Sequence, residues 1–230
     1  MEIMTSAGAA QADLAGPGLT EPGPAAGASV GPNVPASRPG RDGAATPAAV
    51  PAFLLVLTHG AGGGVAAPDL MATREAALRL GGAVAMVTQP YRAAGRRAPG
   101  SAVRQDEAWA DVITALRDRV PAPVPLIQGG RSNGARVACR TAQAVGARAV
   151  LALAFPLHPP GHPERSRAGE LAAAGVPVLV INGGRDPFGV PAASAAVQVV
   201  VLDGETHALS RRPEAAGEAA GSWLRGLSQG

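Results

Sequence analysis

The sequence predicts an α/β fold: a mainly parallel sheet with helices covering both faces. Three observations carry this expectation. Short apolar runs at 53–57, 83–88, 124–128, 149–155, 176–182 and 196–202 suit strands buried on both sides rather than half-exposed ones. Helical periodicity fills the intervals at 69–80, 101–119 and 132–144, and again at 213–227. The residues with chemistry to offer fall just after the apolar runs, at the end of an open α/β sheet where ligands bind.

In chain order, the first fifty residues stand apart. Alternation around Ala9, Gln11, Asp13 and Leu14 suits a short edge strand or hairpin within 1–14, or a tail without fixed structure. Residues 16–49 are mostly Gly, Pro, Ala and Ser and have little apolar surface to offset ordering entropy, so a flexible segment is expected. The division expected is therefore 1–50 as a low-complexity segment and 51–230 as the folded domain. Phe53 to Leu57 opens the regular pattern and runs into His59, Gly60, Ala61 and three further glycines. The helix at 69–80 stops at Gly81-Gly82, and 83–88 is the next strand. A loop over 90–100 precedes the helix at 101–119. The strand at 124–128 leads through Gly130-Arg131-Ser132-Asn133-Gly134 into the helix at 132–144. Strands at 149–155, 176–182 and 196–202 follow, and the helix at 213–227 ends the pattern.

The chain has 230 residues and is 47% hydrophobic, enough for one sizeable core, but only 3% aromatic, so Val, Leu and Ala must fill it. A net charge of +3 is too small to argue nucleic-acid binding, and no basic run alternates with aromatics. No stretch is long and apolar enough to span a bilayer as a helix. The N-terminus lacks a basic start followed by an apolar block. Cys139 is the lone cysteine, which excludes an internal disulfide and fits a reducing compartment. Cytoplasmic placement is the expectation.

Strand, serine between spaced glycines, helix: this is the context of a nucleophile elbow. Ser132 is the candidate nucleophile; as a plain helix N-cap it would need no partners. Asp186 follows the strand at 176–182 and His207 follows the one at 196–202. His207 would take the Ser132 proton and pass it to the leaving group, with Asp186 orienting the imidazole. Structural alternatives are a surface histidine and a carboxylate capping the turn at Pro187; Asp203 and Glu205 are reserve carboxylates. The oxyanion hole would use the amide of Asn133 and one from Gly60 or Ala61. His59 is expected to shape that loop. The loop lacks the Lys-Ser or Lys-Thr pair of a phosphate-binding loop and the dinucleotide fingerprint, so no cofactor is expected. His158 and His162 are separated by prolines, which denies them a shared helix face, so no metal is expected and His158 reads as a pocket wall. Arg131, with Arg92, Arg96 and Arg97, would either attract an anionic substrate or stand solvated.

Taken together, these blocks resemble the α/β-hydrolase superfamily, and within it the dienelactone-hydrolase-like and Tex30-type small bacterial hydrolases. The resemblance rests on Leu57 through Gly63, Gln89-Pro90-Tyr91, Gly129 through Ala138, Phe155 through Gly161, Gly183 through Gly189, and Gly204 through His207. It implies a compact α/β-hydrolase fold without a large lid, a Ser132–Asp186–His207 triad, an additional N-terminal strand pair, and Tyr91 beside the pocket. Serine replaces the elbow cysteine of dienelactone hydrolase, so that enzyme's substrate is not implied. The function expected is cleavage of a small carboxylic ester or thioester through an acyl-enzyme. The alternative is a catalytically silent binding module, which would bring in a protein partner or a homo-oligomer.

Overall fold

The computed structural model describes residues 1–19 and 49–227; most of the segment expected to be flexible, 20–48, lies outside the described residues. Eight strands form one sheet, β1 (Glu2–Thr5), β2 (Gly8–Ala15), β3 (Leu54–Thr58), β4 (Ala83–Thr88), β5 (Leu126–Arg131), β6 (Ala149–Leu153), β7 (Val178–Gly183) and β8 (Val197–Leu202), in the order β1-β2-β4-β3-β5-β6-β7-β8. Strands β4 to β8 and β3 are parallel, while β1 and β2 add an antiparallel hairpin beyond β4. The first residues thus belong to the same sheet as the rest. The hairpin is fastened by Ser6 N–H donating to Asp111 Oδ2 at 2.7 Å.

Alternation along the buried strands sorts side chains between two cores. Leu54 and Val56 of β3 face the core under α3 (Ala102–Arg117), α4 (Asn133–Thr141) and α5 (Ala168–Ala172), whose Trp109, Val137 and Leu171 complete it. Leu55 and Leu57 face the other core, closed by Leu70 and Ala77 of α1 (Pro68–Arg79) and Ala220 and Leu224 of α6 (Pro213–Leu227). A strand sandwiched this way has no polar face, which is why the apolar runs were legible as continuous blocks. No large lid interrupts the fold among the described residues.

Two short helices escaped the sequence pattern. The expected loop over 90–100 begins with α2 (Pro90–Ala93), started by Pro90 at its first position, and α5 lies in the interval after β6. Four or five residues are too few for a helical period to register. The strand before the elbow also runs on to Arg131, beyond the expected end at 128. Gly129 and Gly130 pair with Leu151 and Ala152 despite their poor strand preference, because only glycine tolerates the neighbouring backbone there.

Chain order places β4 to one side of β3 and β5 to the other, so the order in which strands are added reverses between β3 and β5 while the two strands stay parallel. Loops diverging from such a point leave a crevice at the strand ends. One fully buried polar side chain stiffens its floor. Gln128 of β5 accepts from Trp109 Nε1 at 2.7 Å and donates to the Ala138 carbonyl at 2.7 Å and to Thr141 Oγ1 at 3.2 Å. It ties α3 and α4 to the strand that carries the elbow. Gln128→Leu should lose about 1–3 kcal/mol of stability, because the indole N–H is left buried without a partner; urea unfolding measures it.

Candidate active site

Ser132 stands between β5 and α4 with φ 53° and ψ −111°, a left-handed conformation that costs a non-glycine residue about 1–3 kcal/mol. It is held there from several sides. Ser132 N–H donates to the Leu153 carbonyl at 2.9 Å, and the Ser132 carbonyl starts α4 by accepting from Arg136 N–H at 3.2 Å. Glycines make the turn fit. A Cβ on Gly130 would come 2.6 Å from the Thr58 carbonyl oxygen, and one on Gly134 would lie 2.8 Å from the His59 carbonyl oxygen. Both obstacles are backbone and cannot swing aside.

The structure brings Ser132, His207 and Asp186 together. Ser132 Oγ lies 2.9 Å from His207 Nε2, and His207 Nδ1 lies 2.8 Å from Asp186 Oδ2. An ionised carboxylate only accepts, so Nδ1 carries the proton, Nε2 is the acceptor, and the serine hydroxyl donates to it. The Asp186 side chain is wholly buried and that of His207 is 19% exposed. Asp186 Oδ1 also accepts from Phe188 N–H at 2.9 Å, and the Phe188 ring lies against the imidazole with centroids 4.2 Å apart.

The reserve carboxylates serve other ends. Glu205 is buried and accepts from Arg211 and Arg212 N–H at 3.3 and 2.6 Å, fastening the chain ahead of α6. Asp203 is exposed, and its carbonyl accepts from Arg212. His158 bonds the Pro159 carbonyl and lies close against Gly189, bordering the Asp186 turn. Among the described residues no group of His, Cys, Asp and Glu is arranged to hold a metal, and buried Cys139 has its thiol pushed up to about 12 by desolvation.

His59 is fully buried. Its Nε2 accepts from Gln89 N–H at 3.1 Å, so the proton sits on Nδ1 and is donated to the Gly60 carbonyl at 2.8 Å. Burial pushes its pKa down, in the same sense as the acceptor role of Nε2. Gly60 O also accepts from Gly63 N–H at 3.2 Å. Across a trans peptide the next N–H points the opposite way, so the bonds that hold Gly60 O turn Ala61 N–H away from them. Asn133 N–H, at the first position of α4, has no intrahelical acceptor. The His59 loop lies beside the serine, where a Cβ on Gly60 would be 3.2 Å from Ser132 Cβ.

Three connections had gone unread in the sequence. Asn182 is buried at the end of β7; it donates to the Phe155 and Gly189 carbonyls, each at 3.1 Å, and more distantly to Asp186 Oδ2 at 3.4 Å. A polar residue closing an apolar run was the available signal. Asn133 Nδ2 donates to Gln105 Oε1 at 2.7 Å. Arg131 is tied into the protein: Nη2 donates to the His207 carbonyl at 2.6 Å and Nε pairs with buried Asp69 at 3.1 Å. Its guanidinium braces the loop that carries the imidazole, a role that the sequence reading of Arg131 as a substrate attractor or a solvated charge did not include. No sequence spacing links residues 69, 131 and 207.

A serine, an imidazole and a carboxylate linked in this order at the switch of such a sheet define a serine hydrolase. The chain belongs to the family of the alpha/beta hydrolase domain, whose model matches residues 51–223. The dienelactone-hydrolase-like assignment is finer than this match. No curated protein matches the sequence. Solved structures share the fold at low identity. A serine hydrolase without lid from Xanthomonas campestris is 18% identical, with 98% of this chain and 92% of that one covered and a TM-score of 0.66. A serine hydrolase homologue from Coxiella burnetii is 15% identical over 97% and 96%, with a TM-score of 0.69. Est1E from Butyrivibrio proteoclasticus with ferulic acid bound is 14% identical over all of both chains, with a TM-score of 0.67.

Desolvation raises the Asp69 carboxyl from 3.8 to about 6, against the opposing pull of Arg131. The folded protein therefore binds this proton more tightly than the unfolded chain, and the contribution to stability falls as pH rises from about 4 to 6. Asp69→Asn removes that slope. Relative to wild type, the variant should gain about 2 kcal/mol between pH 4.5 and pH 8, read from denaturant midpoints at the two pH values.

Proposed function

We propose that Ser132 is the nucleophile, His207 the general base and acid, and Asp186 the group that orients the imidazole, in hydrolysis of a small carboxylic ester or thioester. The observation that carries this is the continuous Oγ–Nε2, Nδ1–Oδ2 chain at 2.9 and 2.8 Å. Ser132 Oγ bonds to the acyl carbon while its proton moves to His207 Nε2. The amides of Asn133 and Ala61, the better directed of the two loop candidates beside Gly60, donate to the developing oxyanion. Collapse breaks the bond to the alcohol or thiol, which leaves with the proton from His207. Water, deprotonated by the same imidazole, then cleaves the acyl-enzyme, releasing the carboxylic acid and restoring Ser132. No cofactor or metal enters any step.

A silent binding module would have no use for a strained serine with its hydroxyl on a neutral imidazole nitrogen, which favours catalysis. Within the family, the motif blocks around Ser132, Asp186 and His207 support kinship with the dienelactone-hydrolase-like and Tex30-type branch. The lone cysteine supports a cytoplasmic setting. No described helix is long and apolar enough to cross a membrane.

A fluorophosphonate probe should label Ser132, and Ser132→Ala should remove the labelling and lower kcat for a phenyl ester by at least about 10⁴-fold; a well-folded wild-type protein that takes no label overturns the proposal. His59→Ala frees the Gly60 carbonyl to turn, so kcat should fall about 10- to 100-fold with KM little changed, measured by steady-state kinetics on the same ester.

A further inference from the structure

An apolar cavity opens at the end of β4, between the oxyanion loop and α3. Val87, Pro90, Tyr91, Pro99, Ala108 and Trp109 wall it, and Ala7 of the β1–β2 turn closes one side. Its cavity volume is about 70 Å³, and the open mouth brings the empty space to about 580 Å³. The cavity is joined to the reaction centre by two of its own wall residues. Tyr91 Oη donates to the Ala61 carbonyl at 3.4 Å, and Gln105 accepts from Asn133 Nδ2 at 2.7 Å. Those partners are the two residues whose amides are proposed above to receive the oxyanion.

The direction of the reaction decides what enters. The leaving oxygen or sulfur must face His207 Nε2 to be protonated, and His207 stands on the β7–β8 side of Ser132. With the carbonyl oxygen between the Asn133 and Ala61 amides, the remaining substituent of the acyl carbon points towards β4 and α3. Arg96 and Arg104 sit exposed in the lining of the cavity. Neither is paired with a carboxylate among the described residues, whereas Arg131, Arg136 and Arg140 all are. An apolar wall with two uncompensated cations suits a short hydrocarbon segment that ends in negative charge.

We propose that this cavity holds the acyl group of the substrate, and that the acyl group is a short chain or ring bearing a terminal carboxylate, as in a monoester or monothioester of a short dicarboxylic acid. The proposal rests on the serine-hydrolase reading above. The products are the free dicarboxylate and the alcohol or thiol.

The test compares acetate, pentanoate and glutarate esters of one phenol with the full chain; pentanoate and glutarate match in length and differ in the terminal charge. At low salt, kcat/KM for glutarate should exceed that for pentanoate by about three- to tenfold, as two exposed charge contacts allow. The ratio should fall towards one in Arg96→Gln/Arg104→Gln and in high salt. Ala98→Trp, which fills the mouth from an exposed loop position, should lower both five-carbon esters about tenfold relative to acetate. Equal rates for glutarate and pentanoate, or a ratio indifferent to the arginines, would overturn the inference while ester turnover and fluorophosphonate labelling left the hydrolase intact. Failure of every ester together with absence of labelling would remove both.

Discussion

Ser132 can keep its left-handed backbone only because β3, β5 and β6 approach one another without intervening side chains. Gly130 sits against the Thr58 carbonyl, Gly134 against the carbonyls of Thr58 and His59, and the Ser132 amide is bonded to Leu153. This close approach sets Ser132 at the strand end, directly before the first turn of α4. It also brings the His59 loop alongside, where a Cβ on Gly60 would be 3.2 Å from Ser132 Cβ. The serine and the glycine-rich loop beside it thus owe their placement to one cause. Strain in the elbow is sustained by two parallel cores and by the Gln128 bonds beneath it.

The imidazole is positioned by a different logic. His207 lies beyond the last strand, in a loop with no regular structure of its own. Three ties define it: Asp186 on Nδ1, Arg131 on the backbone carbonyl, and Leu209, fully buried two residues later. Arg131 immediately precedes the nucleophile, so the hydroxyl and the loop that must meet it are braced from one piece of chain. The buried Asp69 that accompanies Arg131 carries a desolvation cost, which its raised pKa expresses. Stability is traded for registration of the imidazole over the hydroxyl.

Much of this was legible in the sequence, and the division has a physical basis. Strands buried on both faces leave unbroken apolar blocks, so β3, β4 and β7 stood out. Serine between glycines after such a block, followed by an acid and a histidine after later blocks, conveyed the reacting groups, because topology forces strand ends to one rim. Short helices α2 and α5 left no period. The role of Arg131 was hidden because a charge adjoining a nucleophile looks the same whether it meets solvent, substrate or protein. Gln128 was hidden for the opposite reason: it lies within an apolar run, where pattern registers burial but not the partner across the sheet, and Asn182, which closes such a run, showed its polarity there but not its partners. The cavity beside Tyr91 is assembled from four separate segments, and no local stretch announces it.

The N-terminal hairpin has a consequence beyond the wall it lends through Ala7. Strand β2 satisfies the outer amides and carbonyls of β4 from Gln11 to Ala15, and α3 anchors its turn through Asp111. Were that clasp to open, β4 would present a bare, flat margin of unpaired backbone with apolar flanks. Such a margin invites strand-to-strand pairing between copies of the molecule. The hairpin that closes the chamber through Ala7 therefore also stands guard against aggregation.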